Sequence, residues 1–229
     1  MTTSGTQTYS GAVTLSGGNR TLTTSNSAVT FSDTVNSESG QNRALTMALG
    51  SGQVKLDGVV GGTRALGAVG ITGTLDLNAN VAGAASLSVS GATDLGANVT
   101  TTGVQTYGGV VTLSGGNRTL TGSTIRTQST LTGGGNALTI TGAADIDGDY
   151  TGLSTLSISG AADLGANVTT TGTQTYGGAV TLSGGSRTLT GSTIATQSTL
   201  AGGGNALTIA GAADIDGAYT GLSLSLIHI

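Results

Sequence analysis

The chain has no proline, no cysteine and no tryptophan, and only 8% of its residues are charged. Each absence removes a class of protein. Without cysteine there are no disulfides and no thiolate metal sites. Without proline every residue keeps its backbone N–H, which suits a fold in which most of the backbone donates to a hydrogen-bonded ladder. Glu38 and Lys55 are the sole residues of their kinds, so the charged helix formers are nearly missing. The 7 basic residues against 11 acidic ones leave a net charge of -4 with no basic patch, so no nucleic-acid partner is expected. No apolar run reaches the length of a membrane span, and Met1 leads into Thr-Thr-Ser-Gly without a basic start or an apolar leader. Membrane insertion is therefore not expected. The chain belongs either inside the cell or within a longer secreted protein, and a pattern already running at residue 6 favours the second.

What is present is glycine, 42 residues of it, together with abundant threonine, serine, valine, leucine and isoleucine. Low charge combined with a mean hydropathy of +0.19 argues against disorder, which needs high charge and little apolar content. Apolar and hydroxyl residues alternate with period two, as in half-buried strands. In the first stretch this parity selects Val13, Leu15, Leu22, Val29 and Phe31 as inward side chains.

The chain repeats itself. Thr173-Gln-Thr-Tyr-Gly-Gly-Ala-Val-Thr-Leu-Ser-Gly-Gly185 returns as Val104 to Gly116 and as Thr6 to Gly18 with few changes. Tyr107 and Tyr176 stand 69 residues apart, as do Arg118 and Arg187, Asp145 and Asp214, and Tyr150 and Tyr219. A fixed period signals a repeat architecture. Residues 1–72 read as divergent β-repeat coils, 73–223 as a regular 69-residue array, and 224–229 as a tail outside the repeat. Within the unit, a short apolar-Thr/Ser-apolar phrase recurs at Val111, Leu138, Leu156 and Val180. The spacing predicts an all-β chain folded as a parallel β-helix, a solenoid of about ten coils averaging ~23 residues and on the order of 45–50 Å long, with three coils to each unit. Glycine pairs such as Gly108-Gly109 and Gly115-Gly116 would turn the corners. The alternative is a set of antiparallel β-sandwich repeats, for which Asp147-Gly148 and Asp216-Gly217 could serve as hairpin turns.

The run from Gly165 to Leu182, and the linking phrase from Val59 to Gly73, resemble the β-strand repeats of filamentous-haemagglutinin-like and autotransporter-type bacterial adhesins. The likeness covers nearly all of residues 5–223 and is one of composition and repetition. It implies a right-handed parallel β-helix, export to the bacterial cell surface, and a role as an adhesin shaft. After Ser223 the chain reads Leu-Ser-Leu-Ile-His-Ile where the earlier copy has Thr-Leu-Ser-Ile-Ser-Gly, an ending that looks like read-through of a sequencing adaptor; residues 224–229 carry no functional expectation.

Chemistry-bearing residues are few. His228, the single imidazole, lies in that tail, so neither a nucleophilic triad nor a histidine metal cluster can be assembled around it. Asp145, Asp147 and Asp149 form the densest acidic cluster and are the candidates for Ca²⁺ ligation, with a solvated turn as the plainer reading. The tyrosines fall at repeat-equivalent places, which points to stacking between coils rather than to a pocket. Thr-Leu-Thr at 119–121 and 188–190 and Thr-Ile-Thr at 139–141 read as outward β-formers, too irregularly spaced to make a flat hydroxyl face. Asn19, Asn98, Asn117 and Asn167 each begin an Asn-x-Thr phrase that could accept a glycan in an exported protein. No catalytic residue and no cofactor is expected. The chain reads as a structural spacer, with self-association through open β-helix ends and host-cell or surface glycans as partners. The alternatives are a β-helical carbohydrate-active enzyme, a carbohydrate-binding module, and an S-layer or biofilm matrix element.

Overall fold

The computed structural model describes residues 1–223 and the backbone of the strand Ser225–His228; Leu224, Ile229 and the side chains of 224–229, His228 included, lie outside the described residues. Among the described residues there is no helix, and every strand pairing is parallel. That excludes the antiparallel sandwich. Asp147-Gly148 and Asp216-Gly217 are corners between successive strands, not hairpin turns.

One column of backbone partners runs the length of the molecule. Gln7 pairs with Val29, then Val54, Leu75, Thr93, Val111, Leu131, Tyr150, Val168, Leu189, Ile209 and Ile227. The chain is a β-solenoid of about 11 turns, about 50 Å long at the ~4.8 Å spacing of paired strands. The stack passes without a break through the change in sequence near residue 72, because the strand Leu66–Leu77 pairs back to Leu45–Leu56 and forward to Val81–Val89.

Each turn has three sides. From Thr93 the strands Thr93–Leu95, Val99–Thr101, Gln105–Tyr107 and Val111–Leu113 start at six-residue intervals, and Val111 lies directly over Thr93. A full turn here therefore takes eighteen residues, tighter than the expected average; elsewhere corner loops lengthen it, as from Val29 to Val54. On a three-residue strand the first and third side chains point inward and the second outward, and Val99–Thr101 has the burial order buried, exposed, buried. The interior is one continuous apolar column, in which Leu15, Leu22, Val29 and Phe31 are buried as their parity demands and Val13 is partly covered.

The 69-residue period is not a whole number of turns. Starting from Gln105, three turns lead through Ile125 and Ala144 to Ala162, and a fourth leads to Val180. Gln174 falls between them, twelve residues past Ala162, which is two six-residue sides further round. The unit thus spans three and two-thirds turns rather than three coils. Successive copies land on different sides of the rod: Gln7 is in the column of Val29 and Val54, Gln105 in that of Leu87 and Ile125, and Gln174 in that of Leu156 and Ile194.

Glycine is required where corners of adjacent turns touch. Gly142 has φ +132, and a Cβ on it would lie 1.9 Å from the carbonyl oxygen of Gly122 in the turn before. Gly160 stands over Gly142 and Gly178 over Gly160 in the same way. Gly142→Ala combines backbone strain with overpacking against main chain that cannot swing aside, and is expected to lower the unfolding free energy by about 3 kcal/mol, measured by denaturant titration. Gly135→Ala, with φ +82 but no atom within 4 Å of the added Cβ, separates strain from clash and should lose distinctly less.

Candidate functional site

The structure separates the three aspartates of the acidic cluster. Asp145, outward on the strand Leu138–Ile146, accepts from Arg126 Nε at 2.7 Å and is bridged by the same guanidinium's second nitrogen. Asp149 turns along the rod axis, and its Oδ1 accepts the backbone N–H of Asn167 at 2.9 Å in the next turn. Asp147, at the corner between them, is exposed; partial desolvation and the charge of Asp145 raise its pKa above the ordinary carboxylate value, against the opposing pull of Arg126. Two of the three carboxylates are thus engaged with the protein itself. Among the described residues no group of three or more His, Asp or Glu side chains is arranged to hold a metal ion.

The solenoid brings together other carboxylates. Asp76 pairs with Asp94, and Asp145 with Asp163, one turn apart on the outer surface. Each pair is preceded by a cation one turn earlier, Lys55 beside Asp76 and Arg126 beside Asp145, and followed by a threonine, Thr112 or Thr181. Like charges stacked at strand spacing repel, and one oxygen of Asp94 and one of Asp163 are buried without a hydrogen-bond partner. Asp94 edges a shallow groove of 320 Å³, and Asp145 and Asp163 together edge one of 270 Å³. The other walls are mainly Thr, Ala, Leu75 and Val110, which supply no general base or nucleophile partner. The sequence signal for these pairs was available: each lies eighteen residues apart, the length of the local turn.

The most faithfully repeated polar residues are internal braces. Gln105 and Tyr107 both face inward and are fully buried. The Tyr107 hydroxyl donates to Gln105 Oε1 at 2.9 Å, while Gln105 Nε2 donates to the carbonyl of Thr121 at 2.8 Å. Gln174 and Tyr176 repeat this on another side, with Nε2 donating to Thr190 O at 2.8 Å, and Gln7 and Tyr9 repeat it at the first turn. A buried amide has two N–H donors and an acceptor oxygen to satisfy, and the corner carbonyls and the phenol supply a partner to each group. Arg118 and Arg187 tie down the corners Ser114–Asn117 and Ser183–Ser186 by donating from Nε to Leu95 O and Leu164 O at 2.9 and 3.0 Å.

The asparagines considered as glycan acceptors are corner caps. Asn98 Oδ1 accepts from Thr119 N–H, Asn117 Oδ1 from Ala137 N–H, Asn167 Oδ1 from Thr188 N–H, and Asn19 Oδ1 from Ala44 N–H, all at 2.9 Å. Each closes the gap that the backbone ladder leaves where the chain bends away between sides.

The outer surface is more regular than the threonine spacing suggested. Thr112, Thr132 and Thr151 stack in three consecutive turns of one side, and Thr169 and Thr190 pair beyond a register shift on the same side. On another side Thr119, Thr139, Ser157 and Thr175 stack in consecutive turns. What the surface offers is rows of hydroxyl groups at strand spacing, broken by the two aspartate pairs.

These features define the class: a parallel β-solenoid whose repeated polar residues serve the stack. Comparison with protein-family models, with curated proteins and with solved structures finds no match for the chain.

Proposed function

We propose that this chain is a shaft segment of a large exported bacterial surface adhesin, a stiff spacer that holds a binding region away from the cell. The observation that carries the reading is the fate of its repeated residues. Gln105, Arg118 and Asn98 hold one turn to the next and Tyr107 braces Gln105 from its own strand, as do their counterparts 69 residues on. A protein whose most faithfully repeated groups face inward or along its own axis is built for length and rigidity. The resemblance to adhesin repeats supplies the cellular setting, the bacterial surface. A contact role with surface glycans is a second reading, favoured by the exposed threonine row Thr112, Thr132 and Thr151, whose hydroxyls can donate to and accept from sugar hydroxyls.

The test is a surface-display experiment. The chain is placed between an outer-membrane anchor and a small binding domain, and cell attachment is compared with that of a glycine-serine linker of the same residue count. The spacer reading expects greater attachment with the solenoid and none when the binding domain is removed. Equal attachment with the flexible linker overturns it; attachment by the solenoid alone, competed by soluble glycan, supports the contact role instead.

A further inference from the structure

One groove on the outer surface takes no part in holding the stack. Where a strand turns a side chain inward, the residues before and after it point outward, so each side of the rod carries two outward ranks. On the side of Val54, Leu75, Thr93 and Val111 the first rank is Gln53, Thr74, Ala92 and Val110, and the second is Lys55, Asp76, Asp94 and Thr112. Ala92 is the dip in the first rank. Its single methyl, set between Thr74 and Val110, opens the 320 Å³ groove, and Asp94 and Thr112 form the far wall.

The acidic wall is short of donors. Asp94 Oδ1 is buried and has no hydrogen-bond partner, and the Asp76 carboxylate stands one turn, ~4.8 Å, along the same rank. The cation of that rank, Lys55, is held by Asp57 Oδ2 at 3.0 Å. In the other aspartate pair Arg126 bonds Asp145 directly. What the Asp94 wall lacks is a positive charge that carries N–H donors. A bare metal ion suits it poorly, because Ca²⁺ takes about 6–8 oxygen ligands and among the described residues no three acidic or imidazole groups converge. The opposite wall points to more than a charge. Val110 is 45% exposed and offers methyl groups to the face of a ring, while Gln53, Thr74 and Thr112 can exchange hydrogen bonds with hydroxyls.

The other aspartate pair supplies an internal comparison. Its second rank, Arg126, Asp145, Asp163 and Thr181, matches in kind residue for residue. Its first rank is Thr124, Ala143, Ala161 and Ala179, so the hydroxyl of Thr74 and the isopropyl group of Val110 are both replaced by methyls. The acids recur in both places, and the groups that would hold a ring occur in one.

We infer that the Asp94 groove binds a protonated amino sugar, of the kind exposed on a deacetylated hexosamine polymer. The ammonium donates to the Asp94 carboxylate and is drawn further by Asp76, the ring face lies on Ala92 and Val110, and the ring hydroxyls meet Thr74, Thr112 and Gln53. This deepens the glycan-contact reading and rests on it.

Calorimetric titration of the purified chain with a glucosamine tetrasaccharide and with its fully N-acetylated counterpart, in mildly acidic buffer of low ionic strength, tests it. The unaltered chain should bind the free-amine oligomer at least about tenfold tighter, the size of one charge-assisted hydrogen bond. Asp94→Asn should erase that preference, and Asp163→Asn, in the comparison groove, should leave it intact. Should Asp94→Asn lose its β circular dichroism, Ala92→Leu serves instead, since it fills the groove from an exposed position and should abolish binding. Equal affinity for the acetylated oligomer, equal affinity for putrescine, or binding that survives both variants overturns the inference and leaves glycan contact standing. No binding of either oligomer overturns it too, and attachment of the displayed chain competed by other soluble glycans then still decides the contact reading separately.

Discussion

Tyr176→Ala is expected to lower the unfolding free energy by about 5 kcal/mol. Removing a large buried aromatic costs about 3–5 kcal/mol through lost transfer free energy and the residual cavity. The substitution also strips the donor from Gln174 Oε1, leaving a buried amide oxygen unpaired at a further cost of about 1–3 kcal/mol. The turns above and below fix the space, so the site has little room to collapse. Tyr176→Phe keeps the ring and loses only the hydroxyl, and should cost about 1–2 kcal/mol. Tyr9→Ala provides the contrast, since Tyr9 is partly exposed at the end of the rod and should lose markedly less. Equilibrium denaturation followed by circular dichroism separates the three. If Tyr176→Ala cost no more than Tyr9→Ala, the inward Gln–Tyr pair would not be a brace.

The fold was legible because its rule is simple. Period-two alternation, abundant glycine and missing proline fit stacked strands and corners, and parity alone placed Leu15, Leu22, Val29 and Phe31 inside. The same parity could have placed the glutamines and tyrosines. Gln174, Tyr176, Val180 and Leu182 are all even-numbered on consecutive sides and all buried, but polar groups are expected outside, and a buried Gln is tolerated only because Tyr and the corner carbonyls satisfy it. Turn length was hidden by the symmetry of the three sides. A phrase that fits one side fits all of them, so its recurrences mixed sides with turns: Leu138 to Leu156 is one turn, whereas Leu156 to Val180 is one turn and one side. The partners of the acidic residues depend on turn length, so they were hidden with it. Asp145 meets Arg126 and Asp163, each about one turn away, rather than its sequence neighbours Asp147 and Asp149. In a solenoid the chemistry of a side chain is set by what lies one turn off, and a cluster in sequence is spread along the chain's path.

Three buried phenols, one on each side of the rod, give the molecule a sharp alkaline limit. Tyr107, Tyr150 and Tyr176 are fully buried, and desolvation pushes all three pKa values well above the ordinary tyrosine value. In the unfolded chain the same phenols ionise near pH 10. The sign follows from proton linkage: above pH 10 the folded state holds three protons that the unfolded state releases, so stability is complete below about pH 10 and falls as pH rises from there toward the folded values. With three such groups the slope well above pH 10 is about 4 kcal/mol per pH unit, enough to consume the whole of an ordinary stability of about 5–15 kcal/mol within a few pH units. Absorbance at the phenolate band should therefore rise in two stages. The partly exposed Tyr9 and Tyr219 ionise first, each held somewhat above the usual value by partial burial. The other three should appear together, at the pH where circular dichroism reports loss of the β signal, and Tyr176→Phe should lower the slope of stability against pH by about a third. Five phenols titrating smoothly before any unfolding would mean that water reaches the interior of the stack and that the turns are not closed against one another.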